Sequence, residues 1–154
     1  MRKLEERLLR FPEELLIEAA REAAADAISH RDYHVGAVVL AENPDTGQIC
    51  AFPGANWKPV SHGLKYCAEG DAISKALKAG YSRILLIVVA ADQQPDDESR
   101  VVAPTAHPCG GCRRNLRGIP GIERVLFVTV RRDSDVVERF TFNELWERHN
   151  GNSH

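Results

Sequence analysis

The sequence predicts an α/β fold, a three-layer α/β/α sandwich around a five-stranded mixed sheet, and three observations predict it. Alanine-rich segments of helical period occur twice, at residues 12–28 and 68–79. The run Ile84-Leu85-Leu86-Ile87-Val88-Val89-Ala90-Ala91 has the composition of a central strand covered on both faces. The last two strand-like segments are separated only by residues 131–135, too few for a parallel crossover, so they should pair antiparallel.

Taken in order, Phe11-Pro12-Glu13-Glu14 opens the first helix, with proline near the first turn and acids at the positive end of the dipole. Leu15, Leu16, Ala19, Ala20, Ala23, Ala24, Ala27 and Ile28 repeat at helical spacing, and their small size predicts close packing on a sheet. Ser29 to Asp32 is a polar break. A strand follows over Tyr33–Ala41, then turn chemistry at Asn43-Pro44-Asp45-Thr46-Gly47, then a second strand over Gln48–Phe52, together a hairpin. Pro53–Tyr66 has no period and reads as a loop. The second helix runs over Ala68–Ala79 and closes on Gly80 in the C′ place. A short helix should begin near Cys109 and end by Gly118 and Pro120. Strands over Arg124–Val130 and Val136–Thr141 and a helix over Phe142–His149 complete the chain. The earlier strands alternate with helices, which predicts parallel pairs among them. A single domain is expected over 1–154, with an N-terminal extension at 1–11, an acidic insertion at 92–103 and a frayed tail at 150–154.

Composition narrows the class. The 154 residues are 44% hydrophobic and 27% charged, which suits one globular domain able to bury a core unaided. Twenty basic and twenty-two acidic side chains leave a net charge of −2, against a dedicated nucleic-acid binder. No apolar run reaches membrane-span length, and Met1–Arg10 lacks the apolar core of a secretory signal. Four cysteines are too few for a disulfide scaffold. A soluble, cytoplasmic protein is expected.

The cysteines carry the chemistry. Cys109 and Cys112, in Pro108-Cys109-Gly110-Gly111-Cys112, stand three apart, so one helical turn brings both sulfurs to one face. Cys67 arrives from the start of another helix, in Cys67-Ala68-Glu69. Three thiolates leave one position of a tetrahedral zinc open, as catalytic sites do. Glu69 is near enough to reach a water there without binding the metal, and a carboxylate so placed can carry protons. A structural site completed by Cys50, His62 or His107 would have no use for Glu69. Cys50 itself reads as a small buried hydrophobe in the second strand.

These motifs resemble those of the cytidine deaminase family, in its small three-cysteine zinc branch, which includes enzymes of the blasticidin S deaminase type. The resemblance runs from about Tyr33 to Trp146. Tyr33-His34-Val35-Gly36-Ala37-Val38-Val39 is similar to the family's opening strand, and Gly54-Ala55-Asn56 to its ribose-binding segment. It implies that Cys67, Cys109 and Cys112 bind zinc and that Glu69 shuttles protons. Asn56 would bond a sugar hydroxyl, Tyr33 would stack near the base, and the backbone at Ala68 and His107 would hold the ring's polar edges. The antiparallel end of the sheet also fits this branch, whereas the tRNA adenosine deaminase branch places its last strands parallel. A homodimer or homotetramer acting on a small aminated heterocycle or nucleoside is implied.

The sequence departs from that pattern twice. Lys58 stands where the family grips the sugar with glutamate, and Gly70 where it carries arginine after the catalytic acid. Lys58 would favour an anionic group over a sugar diol. The motifs taken together give hydrolytic deamination of a cytosine-type nucleoside as the expected function. Its alternatives are a nucleotide, a blasticidin-like antibiotic or a free aminated base as substrate and, in another class, a non-catalytic zinc-stabilised binding module.

Overall fold

The computed structural model describes residues 8–29, 33–59, 66–92, 116–132 and 135–147. Expectations placed on the N-terminal extension before residue 8, the acidic insertion after Asp92, the helix start near Cys109 and the tail from 150 lie outside the described residues.

Helix α1, Glu13–Ala24, starts after Pro12, with Glu13 and Glu14 in its first turn. It ends short of the expected Ile28, because Ile28–Ser29 instead forms a two-residue strand, β1. Strands β2, Val35–Glu42, and β3, Ile49–Ala55, make the expected hairpin. Its turn is closed by Asn43 Oδ1, which accepts from the Asp45 N–H at 2.9 Å, and by Gly47 at φ 75°. The hairpin runs further than expected: Pro53 sits within β3, where an edge strand tolerates a residue that cannot donate. The segment read as a loop also holds β4, Trp57–Lys58, which pairs parallel with β1.

Helix α2, Ala68–Lys78, closes as predicted on Gly80 at φ 89°. The Tyr81 N–H bonds to the Ala76 carbonyl and the Gly80 N–H to the Leu77 carbonyl, the two bonds of a Schellman cap. Strands β5, Arg83–Ala91, β6, Leu126–Arg131, and β7, Val137–Thr141, complete the main sheet. Helix α3, Phe142–Trp146, begins in a capping box between Thr141 and Glu144.

The main sheet has five strands in the order β3-β2-β5-β6-β7. β6 and β7 pair antiparallel, as expected, and β5 and β6 pair parallel. The expected parallel pairing among the earlier strands is corrected at β2, which pairs antiparallel with both β3 and β5. The crossover through α2 does join two strands of one direction, β3 and β5. However, β2 lies between them, so those two are not neighbours.

Alternate residues of β2 bury to opposite faces. Ala37, Val39 and Ala41 pack with Ala72, Ile73 and Ala76 of α2. Val38 and Leu40 pack with Leu16, Ile17 and Ala20 of α1. That division is the three-layer sandwich. Two glycines let the helices approach closely: a Cβ on Gly36 would lie 2.0 Å from the Ala20 carbonyl oxygen, and one on Gly54 would lie 2.5 Å from the Ala68 carbonyl oxygen.

Candidate active site

Ligand sites in open α/β sheets form outside the carboxyl ends of parallel strands. Here the carboxyl ends of β3, β5 and β6 share one edge with the start of β2, since Val35 pairs with Ala91, and Ala91 with Arg131. Most of the sequence-predicted site residues within the described segments gather around this edge.

Cys67 is the N-cap of α2, and Glu69 stands in its first turn. Gly54 on β3 lets this end of the helix sit against the sheet, which buries Ala68 completely and leaves Glu69 only 3% exposed. Burial pushes the Glu69 carboxyl above its usual pKa, and its own backbone N–H offsets that in part. A carboxyl in this place is suited to carrying protons. Cys50 is a free thiol bonded to the Tyr81 hydroxyl. Cysteine thiolates with a nearby uncoordinated acid fit zinc. Cys109, Cys112 and His107 lie outside the described residues.

Asp71, in the first turn of α2, ties the helix to the sheet. Asp71 Oδ2 accepts the Ala55 N–H at 3.1 Å and pairs with Lys75 Nζ at 3.3 Å. Lys75 in turn donates to the Pro53 carbonyl at 2.9 Å. These contacts lock the end of β3 to the helix that carries Glu69. Gly70 is exposed, and a Cβ there would meet nothing within 4 Å, so space does not require glycine in place of the family's arginine.

Asn56 follows β3 and grips the chain just before β2. Its Nδ2 donates to the Tyr33 carbonyl at 2.9 Å, and its Oδ1 accepts the Val35 N–H at 2.9 Å. An amide has two donors and two lone pairs, so one of each remains for a ligand. Losing both bonds should cost about 2 kcal/mol at about 1 kcal/mol each. We expect Asn56→Ala to lower the urea midpoint accordingly; an unchanged midpoint would show that the clamp carries no stability. Tyr33 is half-buried, and Lys58 is half-buried on β4 opposite Ser29. Trp57 and Tyr66 exchange backbone hydrogen bonds and stack, with centroids 5.6 Å apart, beside Cys67.

Sequence reasoning missed two residues here. His34 and Asp92 bond side chain to side chain at 3.0 Å across the start of β2 and the end of β5. Asp92 had the look of a surface acid at the head of a polar insertion, because its partners are remote in sequence.

A family profile, described as the zinc-binding region of cytidine and deoxycytidylate deaminases, matches residues 12–129. A cytidine deaminase of Halalkalibacterium halodurans is 30% identical over 134 residues, 86% of this chain and 89% of that protein. A probable cytidine deaminase of Dictyostelium discoideum is 37% identical over 82 residues, 53% of this chain. That match spans about half of the relative, 47% of its length. The crystal structure of a cytidine deaminase from Burkholderia pseudomallei superposes with a TM-score of 0.70 at 27% identity, covering 88% of this chain and 96% of that one. The cytidine deaminase from Mycobacterium tuberculosis gives 0.58 at 28% identity, over 86% and 91% of the two chains. By profile, sequence and fold together, the chain belongs to the cytidine and deoxycytidylate deaminase family, hydrolases that act on a carbon–nitrogen bond.

Proposed function

We propose that the chain is a zinc-dependent hydrolytic deaminase that converts a cytosine-type nucleoside to its uracil counterpart and releases ammonia. The observation that carries this reading is a buried acid, Glu69, in the first turn of the helix that Cys67 caps. Cys67, Cys109 and Cys112 are the residues that would hold zinc, which when bound supplies Lewis acidity toward water. Glu69 takes a proton from the attacking water, passes it to the ring nitrogen and delivers a proton to the departing ammonia. The backbone at Ala68 and His107 holds the carbonyl and amino edges of the ring. Asn56 offers its remaining donor and acceptor to a sugar hydroxyl, and Tyr33 lies against the base. A non-catalytic zinc module would gain nothing from a desolvated carboxyl in this place.

Lys58, two residues beyond Asn56, supports a second reading, in which the substrate carries an anion: a nucleotide or a blasticidin-like antibiotic. Ammonia release from cytidine, deoxycytidine, their monophosphates, blasticidin S, cytosine, adenosine, guanosine and guanine by the zinc-loaded protein separates the two. Release from cytidine is the expected result. Release from anionic substrates alone would make Lys58 the determinant, and silence across the panel with zinc bound would overturn the deaminase reading. We further propose a cytoplasmic homodimer or homotetramer that takes a small molecule and no nucleic acid. Among the described residues no helix is long and apolar enough to cross a membrane.

A further inference from the structure

Where β5 ends, Asp92 gathers three donors from the strands on either side. Its Oδ2 accepts the His34 N–H at 3.0 Å and faces His34 Nδ1 at 3.0 Å, while Oδ1 accepts from Arg132 Nη1 at 3.1 Å. The Asp92 N–H answers with a bond to the His34 carbonyl at 3.1 Å, and the Arg132 N–H bonds to the Ala91 carbonyl at 3.0 Å. Burial alone would raise the Asp92 pKa, but the His34 and Arg132 contacts outweigh it and hold the carboxyl below its ordinary value. An ionised carboxylate only accepts, so His34 carries its hydrogen on Nδ1.

The cluster differs in kind from an exposed ion pair, which contributes little. One oxygen is divided between a backbone N–H and a ring, so both the main chain and the side chain of His34 are fixed. His34 lies between Tyr33 and Val35, the two residues that Asn56 grips from the other side. Three consecutive residues at the lip of β2 are thus held by side chains from both flanking strands' ends, Asn56 after β3 and Asp92 after β5.

We propose that Asp92 is a positioning residue for the nucleoside pocket, fixing through His34 the Tyr33–Val35 segment against Asn56. The role depends on the nucleoside reading above, in which Tyr33 and Asn56 line the pocket. Asp92 touches no reacting atom, so its loss should loosen binding and leave the chemical step alone. Pre-organised groups lose affinity rather than turnover when only their support is removed.

The test uses the full zinc-loaded chain and uridine, the product of the proposed reaction on cytidine, as the probe. Uridine binding by calorimetry and the cytidine KM and kcat are compared for Asp92→Asn, His34→Ala and Glu42→Gln. His34→Ala keeps the Asp92–Arg132 pair and serves if Asp92→Asn folds poorly. Glu42→Gln breaks the Arg83 ion pair at the opposite end of the sheet and controls for a general loss of stability. Asp92→Asn is expected to weaken Kd and raise KM about tenfold with kcat within about threefold, His34→Ala less, and Glu42→Gln to leave Kd unchanged. A lower melting temperature with unchanged Kd would overturn the positioning role, and so would a fall in kcat alone. Cytidine turnover by the unsubstituted protein with Kd unmoved in both pocket variants would overturn this inference while the deaminase reading stands. Neither turnover nor uridine binding by the unsubstituted protein would overturn both.

Discussion

Glu69→Gln is expected to lower kcat by about a hundredfold to ten-thousandfold, the usual range for removing a proton-transfer group, with zinc content unchanged. The side chain keeps its volume and its seat in the first turn of α2, and it loses only the ability to accept and return a proton. Glu69 is nearly inaccessible to solvent, so a water would substitute for it poorly. A neutral amide also removes the cost of holding a carboxylate in a dry place, so the melting temperature should stay level or rise. Glu69→Ala should lose turnover to the same degree, but it leaves a cavity and should melt lower. Metal analysis, ammonia release and thermal unfolding on one preparation separate these effects. A Gln variant with more than about a tenth of the parent turnover would remove Glu69 from the mechanism.

The second large effect concerns stability and turns on one methyl group. In Gly36→Ala the new Cβ would lie 2.0 Å from the Ala20 carbonyl oxygen and 2.4 Å from the Ala24 nitrogen, both main-chain atoms of α1. No side chain can rotate away, so the helix must lift from the sheet and Leu16, Ile17 and Ala20 lose their packing. Overpacking of this severity costs about 3 kcal/mol or more. The stiffer unfolded chain returns only about 0.4–1 kcal/mol, so the clash decides the sign. For a chain of this length the melting temperature should fall by about 10 °C. Gly70→Ala is the internal comparison, because its Cβ meets nothing within 4 Å in the first turns of α2. It should raise stability by about 0.5–1 kcal/mol. Equal melting temperatures for the two variants would refute the tight seating of α1.

Much of this was legible because the relevant signals are local. Cys67 and Glu69 are two residues apart, and the turn at Asn43–Gly47 and the cap at Gly80 each lie within a few residues. The segment 131–135 is short enough to dictate the antiparallel pairing of β6 and β7 without knowledge of the rest. What stayed hidden depends on distance along the chain. Asp71 meets Ala55, and Asp92 meets His34 and Arg132; as letters in a polar run, both acids look like solvated surface. Pro53 suggested the end of a strand because sequence alone does not say which strand is the edge. The alternation of strand and helix fixed the shared direction of β3 and β5, yet it carries no information that β2 separates them.

The place of β2 has a consequence for how the chain is made. Translation runs from the N-terminus at about 5–20 residues per second, so β2 and β3 emerge as a hairpin well before β5. From Glu42 to Ala91 the ribosome needs about 2–10 s, and during that time the β5 side of β2 has no partner. That edge belongs to Gly36-Ala37-Val38-Val39-Leu40-Ala41, an uncharged, apolar strand of the type that recruits foreign strands. α1 can cover one face of the nascent hairpin early, because Gly36 lets it dock closely. Slowing synthesis between residues 42 and 91 is therefore expected to increase aggregation more than slowing it after residue 91.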